Sequence, residues 1–259
     1  MFASFSESIT AFRRGMSLIS KHKLWSFVII PGLISVALIL GMVIGSWAWF
    51  SGSSIEQSLI GLWPWETGKG IVEGIAEALV VVLVLAGVFF LGKYLVMVIV
   101  APFMGPLSEK IEDIVQQKKQ KSTANFIADL LRGLAIALRN VFLELLFTIL
   151  LNLLLSPVLG FLNLIPIIGT ILAALPTFMI QAYFAGFGNM DYTLERKQYG
   201  IRASVKFIRK HRWAAIGNGA LFLLLFLIPV IGWFLAPAYA TAAGTLVVLN
   251  RIEGTKVAS

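Results

Sequence analysis

The chain of 259 residues is 58% apolar and only 13% charged, whereas charged residues make up about 25% of a typical soluble domain. It contains 21 Lys and Arg against 13 Asp and Glu, a net charge of +8, with two histidines and no cysteine. This composition excludes disulfides and thiolate metal sites, and it leaves little material for an enzyme or a cofactor site. It indicates an all-α integral membrane protein whose basic excess reflects topology rather than nucleic-acid binding.

Residues 1–23 predict an amphipathic helix at the membrane interface. Phe5, Ile9, Phe12 and Met16 recur at three- and four-residue steps, and no small-residue cleavage site follows them as in a signal peptide. One apolar face with basic residues nearby is typical of a helix that lies in the headgroup region.

Residues 24–50 form the first predicted membrane span. They carry no charge, and at ~1.5 Å per residue they are long enough for a hydrocarbon core of about 30 Å. Gly41 and Gly45 lie four residues apart, a spacing that lets two helices approach closely. The contact is either within the chain or between two copies.

Residues 78–100 form the second predicted span, and residues 107–139 predict two amphipathic helices on the cytoplasmic face. Lys93 in this span and Glu144 further on are the ionisable residues expected at membrane depth. Either they serve as pathway or gating charges, or Lys93 snorkels while Glu144 stays near the interface.

The segment after the second span suggests an anion site. Pro102 is expected to end the span, with Gly105 as the N-cap and Pro106 as the first residue of a new helix. The free N–H groups of such a helix start attract anions, and the Ser108 hydroxyl adds a donor. The alternative is an ordinary helix start whose dipole Glu109 complements.

Two apolar regions, residues 141–190 and 213–249, predict helical hairpins with related tips. Leu164-Ile-Pro-Ile-Ile-Gly169 is nearly repeated as Leu227-Ile-Pro-Val-Ile-Gly232, so Pro166 and Gly169 mark one tip and Pro229 and Gly232 the other. The arm before the second tip is too short to cross a bilayer, so this hairpin is expected to enter the membrane and return. The first has longer arms and could cross, but the repeat favours partial penetration.

The distribution of basic residues predicts the orientation. With two full spans, nineteen of the 21 Lys and Arg fall on one face, and the positive-inside rule makes that face cytoplasmic. Both termini are then cytoplasmic. The basic segment 190–212 either concentrates anions at this face or contacts anionic membrane lipids.

Five short stretches carry a resemblance to a known family. The N-terminal part contains Gly15-Met-Ser-Leu-Ile-Ser20 and Phe27-Val-Ile-Ile-Pro31, and the middle contains Ala101-Pro-Phe-x-Gly-x-Leu-Ser-Glu109. Asp191-Tyr192 and the Ile228-Pro229 tip complete the pattern. Together they resemble the CysZ sulfate-permease family and its etoposide-induced-protein relatives, over most of the chain.

The resemblance implies a bacterial inner-membrane, multi-pass homo-oligomer that takes up sulfate without ATP hydrolysis. It also implies two long spans, two partly penetrating hairpins, and a sulfate-binding role for the segment that here contains Gly105, Leu107, Ser108 and Glu109. The family's paired arginine before the first span is replaced here by Trp25 and Ser26.

A permease for sulfate or a similar small oxyanion is therefore the expected function. The alternative is a non-transporting protein that binds partners or organises lipids in the membrane, motivated by the missing arginine pair and the amphipathic helices. A membrane enzyme is disfavoured because no catalytic constellation is visible.

Overall fold

The computed structural model describes residues 2–51, 69–117, 126–162 and 168–253. These ranges contain eight helices and no strand, which confirms the all-α prediction. The helices are α1 (Phe2–Lys21), α2 (Ser26–Ser51), α3 (Lys69–Gln116), α4 (Phe126–Leu162), α5 (Ile168–Arg196), α6 (Ile201–Lys210), α7 (Arg212–Phe226) and α8 (Ile231–Glu253).

Four helices in the described ranges are long and apolar enough to cross a membrane, which makes the chain a multi-pass membrane protein. The apolar stretches are Ser26–Trp49 in α2, Leu91–Gln116 in α3, Ala137–Gly160 in α4 and Ile231–Ile252 in α8. Helix α7 has only 15 residues, in line with the short arm expected before the second tip. The number of helices that cross, and the partial penetration of the hairpins, stay predictions.

The predicted helix start at Gly105 is wrong. Helix α3 continues from the span through Pro102 and Pro106 to Gln116 as one helix of 48 residues. Helices α4 and α5 likewise run through Pro157 and Pro176 without a break. A proline removes one helical hydrogen bond, but neighbouring helices and polar side chains compensate for this loss in membrane proteins.

Helix α8 is the centre of the bundle. Its apolar stretch is 78% buried, and it contacts α1, α2, α3, α5 and α7. Its buried face is built from small residues, Ala236, Ala238, Ala240, Ala242 and Ala243. Small side chains let five neighbouring helices pack closely around α8. Burial of large apolar side chains alone would not drive this association, because lipid chains are equally apolar.

Helix α1 is held by α7 and by the C-terminal end of the central helix. The Ser8 hydroxyl donates to the Ala214 carbonyl oxygen of α7 at 3.2 Å, and Glu7 pairs with Arg251 near the end of α8. The helix predicted within residues 1–23 is thus confirmed, while its place in the membrane interface stays a prediction.

The backbones of α5 and α7 lie in close contact. A Cβ atom added to Gly186 would lie 1.8 Å from the Ala215 carbonyl oxygen, and one added to Gly219 would lie 1.8 Å from that of Ala182. The two helices therefore cross with their backbones in contact, as small residues permit.

The glycines of the first span do not pack within the described part of the chain. Gly41 and Gly45 are exposed, and no atom lies within 4 Å of a Cβ added to either. The alternative of a contact within the chain is therefore wrong for the residues that the structure describes. A contact between two copies stays open.

The second hairpin tip is a turn, as predicted. Helix α7 ends at Phe226 and α8 begins at Ile231, with Pro229 exposed between them. A Cβ on Gly232 would lie 1.8 Å from the Leu225 carbonyl oxygen, so only glycine fits where α8 turns back on α7. At the first tip, Gly169 is buried at the start of α5, and Pro166 lies outside the described residues.

Replacing Gly219 by alanine is expected to separate α5 from α7. The added methyl group meets backbone atoms rather than a movable side chain, so the variant loses about 3 kcal/mol of stability, the upper part of the range for overpacking. Thermal unfolding in detergent measures the loss. Gly160→Ala is the matched control, since Gly160 is exposed and no atom of the described residues lies within 4 Å of a Cβ added there. Equal melting temperatures for the two variants would contradict this packing.

Candidate functional site

Buried polar side chains mark the candidate site. Such groups are costly inside a membrane protein and cluster where ions or substrates pass. In the part of the chain that the structure describes, three hydrogen-bonded clusters join α3 to its neighbours, and other buried polar groups line a small cavity between α3, α4, α5, α7 and α8.

The first cluster is an ion pair between two transmembrane stretches. Lys93 Nζ of α3 lies 2.5 Å from Glu144 Oε1 of α4, and both side chains are 1% exposed. Lys93 also donates to Gln181 Oε1 at 3.2 Å, and the Tyr94 hydroxyl donates to Glu144 Oε1 at 3.0 Å. The buried Lys93 side chain therefore does not reach the surface as snorkelling requires, while the depth of Glu144 relative to the membrane interface stays a prediction. Their role as pathway or gating charges stays a prediction.

The second cluster joins three helices through hydroxyl groups. Ser108 Oγ of α3 lies 2.9 Å from Thr193 Oγ1 of α5 and 2.8 Å from Thr245 Oγ1 of α8. Thr193 donates to Thr245 at 3.1 Å, and all three residues are fully buried. The Ser108 hydroxyl is thus already engaged within the protein.

The third cluster lies near the end of α3. Glu112 accepts from Arg196 Nη2 at 2.5 Å and pairs with Lys197 Nζ at 2.6 Å. Arg196 also donates through Nη1 to the Gly105 carbonyl oxygen at 3.1 Å. Two cations therefore balance one buried carboxylate.

The four residues predicted to bind an anion lie on one continuous helix. Leu107 and Ser108 are buried, whereas Gly105 and Glu109 are half-buried. Because α3 does not begin here, the backbone N–H groups belong to helical hydrogen bonds, and the expected helix-start mechanism is wrong. Binding by these residues through other contacts stays a prediction.

A small cavity lies at the centre of the bundle. Its volume is about 20 Å³, room for one water molecule. Met97, Gly188 and Tyr192 form part of its wall, and Asn140, Asn189 and Thr241 give it polar groups. We call it the central cavity.

Two polar groups at the central cavity lack partners. Among the described residues, Asn140 Nδ2 and Thr241 Oγ1 are buried and make no hydrogen bond. The carbonyl end of the Asn140 amide accepts from Arg139 at 3.3 Å, so the free end is the one that donates. An unpaired buried donor costs about 1–3 kcal/mol. This cost indicates a ligand or water that uses both groups.

The surroundings of the central cavity are polar but balanced in charge. Arg139 pairs with Asp191. Asn189 donates to Asn218 Oδ1 at 3.0 Å, and Asn218 donates to the Ala240 carbonyl oxygen at 3.0 Å. The free donors at the cavity are therefore neutral groups.

Sequence reasoning missed the residues that form this site. In the sequence, Asn140 directly follows the amphipathic segment 107–139, and Thr241 has apolar neighbours on both sides. The pair Asp191-Tyr192 was noticed through the family resemblance alone, although Tyr192 lines the cavity. No local spacing marks these positions, because they come from separate helices.

A family model described as "Sulfate transporter CysZ/Etoposide-induced protein 2.4" matches residues 11–237 of the chain. The chain belongs to this family. The resemblance carried by the motifs in residues 101–109 and at the hairpin tips is thereby confirmed.

Several members of the CysZ family align with nearly the whole chain. Proteins named "Sulfate transporter CysZ" from Pseudomonas aeruginosa and Pseudomonas paraeruginosa are 30% and 29% identical over 254 residues, 93% of this chain and 94% of each relative. One from Pseudomonas fluorescens is 28% identical over 241 residues, 90% of this chain and 89% of the relative.

By the family resemblance, Trp25 and Ser26 occupy the position of a paired arginine. Both are exposed where the chain passes from α1 into α2. The nearest basic residues, Lys21 and Lys23, are exposed as well. This surface therefore offers flexible ammonium groups where the resemblance leads one to expect planar guanidinium groups.

Replacing Lys93 by methionine is expected to leave the Glu144 carboxylate buried and unpaired. Breaking such a pair costs about 3–5 kcal/mol, whereas replacing both partners by apolar residues is often neutral. Thermal unfolding in detergent should therefore show a large loss for Lys93→Met and recovery in Lys93→Met/Glu144→Leu. Arg251→Gln, which breaks a more exposed pair with Glu7, serves as control and should cost at most about 1 kcal/mol. A double variant as unstable as the single one would contradict the pairing.

Proposed function

We propose that this protein is an inner-membrane permease for sulfate or a similar small oxyanion, and that it works without ATP hydrolysis. The observation that carries the proposal is the central cavity, which has neutral hydrogen-bond donors without partners. Family membership and relatives named as sulfate transporters support the choice of anion.

The chemistry of the central cavity suits an anion that binds only transiently during transport. Asn140 offers two N–H donors and Thr241 one O–H donor to an oxyanion that has lost its water. Hydrogen bonds to charged groups are stronger than neutral ones. Conduction nevertheless requires weak enough binding for release, and neutral donors meet that need better than a fixed positive charge.

The size of the central cavity suggests a closed constriction. A volume of about 20 Å³ holds one water molecule but no five-atom oxyanion. Passage then requires Thr241 on α8 to move away from Asn140 on α4. Gly188 forms the wall beside Asn140, with an added Cβ only 3.4 Å from Asn140 Nδ2, so a larger residue there would hinder that opening.

Ser108 is placed to act on the central cavity through α8. Its partner Thr245 also lies 2.9 Å from the Thr241 carbonyl oxygen, one turn earlier on the same helix. The hydroxyl cluster thus fixes the turn that carries the Thr241 donor. In this proposal Ser108 positions a pathway residue, while Gly105, Leu107 and Glu109 line the approach to it.

The proposed orientation puts both termini and the basic segment 190–212 in the cytoplasm. Arg139 and Arg196 lie on the proposed route between the cytoplasm and the central cavity, and the Nε atom of each lacks a hydrogen-bond partner among the described residues.

A second copy of the chain is proposed to cover the exposed glycines of α2, Gly41 and Gly45, giving the homo-oligomer that the family resemblance implies.

Removal of the free donors is expected to slow transport. In liposomes, Asn140→Leu and Thr241→Val should each lower the flux of labelled sulfate about tenfold or more, because a hydrogen bond to a charged group contributes about 1.5–3 kcal/mol. Asn152→Leu and Thr177→Val are matched controls, since these residues form a hydrogen-bonded pair at 3.1 Å between α4 and α5 outside the cavity. Folded protein with no flux above that of empty vesicles would refute the permease and favour a non-transporting membrane role.

Gly105→Leu provides a separate test of the segment that the family resemblance singles out. Nothing lies within 4 Å of a Cβ at Gly105, so the variant should keep its melting temperature. If an anion approaches here, the added side chain should reduce sulfate flux severalfold. Unchanged flux would remove Gly105 from the pathway and leave the central cavity as the proposed site.

A further inference from the structure

A second, larger cavity opens on the outside of the bundle between α4, α5, α6 and α7. Its volume is about 610 Å³, within the range of about 300–1,000 Å³ typical of small-molecule sites. No residue lines both this cavity and the central one. We call it the lateral cavity.

The wall of the lateral cavity is apolar and aromatic. Nine of its eleven lining residues are aliphatic or aromatic. Phe184 packs against Phe147 at 5.6 Å and edge-on against Tyr183 at 5.3 Å between ring centroids. Such a surface suits hydrocarbon better than an inorganic anion, to which the wall offers few polar groups.

The other two lining residues are arginines at one end of the cavity. Arg209 lies in the last turn of α6 and Arg212 begins α7, and both are exposed. Neither forms an ion pair with another residue that the structure describes, although Arg212 lies over the Trp213 ring at 5.7 Å. Two guanidinium groups are therefore available to one phosphate, which they can bind through paired hydrogen bonds.

Helix α6 has the character of a membrane-surface helix. Its ten residues bury Ser204 and Ile208 and expose the basic residues Arg202, Lys206, Arg209 and Lys210. A basic amphipathic helix of this kind lies at headgroup depth. The arginines would then meet phosphates at the level where the apolar cavity meets the acyl chains.

We propose that the lateral cavity binds one anionic phospholipid, with an acyl chain along the aromatic wall and the phosphate between Arg209 and Arg212. A free oxyanion would leave the apolar wall unused, and a zwitterionic lipid would bring a cation to the arginines. The combination of hydrocarbon wall and paired guanidinium groups matches an anionic amphiphile.

Native mass spectrometry of the full chain in a neutral detergent tests the site. Phosphatidylglycerol should bind one molecule per chain, and phosphatidylcholine with the same acyl chains should bind much more weakly. Arg209→Gln/Arg212→Gln should weaken phosphatidylglycerol binding about thirtyfold, from roughly 1 kcal/mol per basic residue near an anionic surface. The matched control is Arg202→Gln/Lys210→Gln, which removes the same charge from α6 outside the cavity and should leave binding unchanged.

Two further measurements keep the proposal open to refutation if the arginine variant does not fold. Met179→Trp narrows the cavity at its wall and should weaken lipid binding while both arginines remain. Inorganic phosphate and glycerol phosphate should not displace the lipid. Equal losses in the two charge variants, equal binding of the two lipids, or displacement by inorganic phosphate would each overturn the lipid site. None of these outcomes bears on sulfate flux through the central cavity.

Discussion

The close approach of helices around α8 is the constraint on which the rest of the structure depends. Lipid chains are as apolar as leucine, so burial of large side chains does not by itself hold membrane helices together. Small residues and hydrogen bonds do so instead. The alanines of α8 bring its neighbours close enough for Ser108 and Thr193 to reach Thr245. The same approach encloses the central cavity.

The polar interior is arranged so that nearly every charge is neutralised where it is buried. Lys93 meets Glu144, and Glu112 meets both Arg196 and Lys197. An unpaired charge would be the strongest ligand in the bundle and would hold an anion too firmly for release. What remains unsatisfied at the central cavity is an amide and a hydroxyl. In the proposed permease, selectivity for an anion would then come from donor geometry rather than from net charge.

Much of the architecture could be predicted from the sequence, because hydrophobic length and Pro/Gly repeats are local signals. The first span, the short arm of α7 and the turn at Pro229 follow from them. That α3 continues as one helix through Gly105 could not be predicted, because the rule that proline ends a helix comes from proteins in water. The central cavity could not be predicted, because Asn140 and Thr241 are about a hundred residues apart in the sequence. Only the folded bundle brings them together.

The length of α3 has a mechanical consequence. Its 48 residues, at ~1.5 Å each, make a rod of about 70 Å, more than twice the thickness of the hydrocarbon core. A rod longer than the bilayer must extend into water even when it tilts, and tilting moves its two ends in opposite directions. A force applied to the projecting end is therefore transmitted along a single helix to the level of Lys93 and the central bundle.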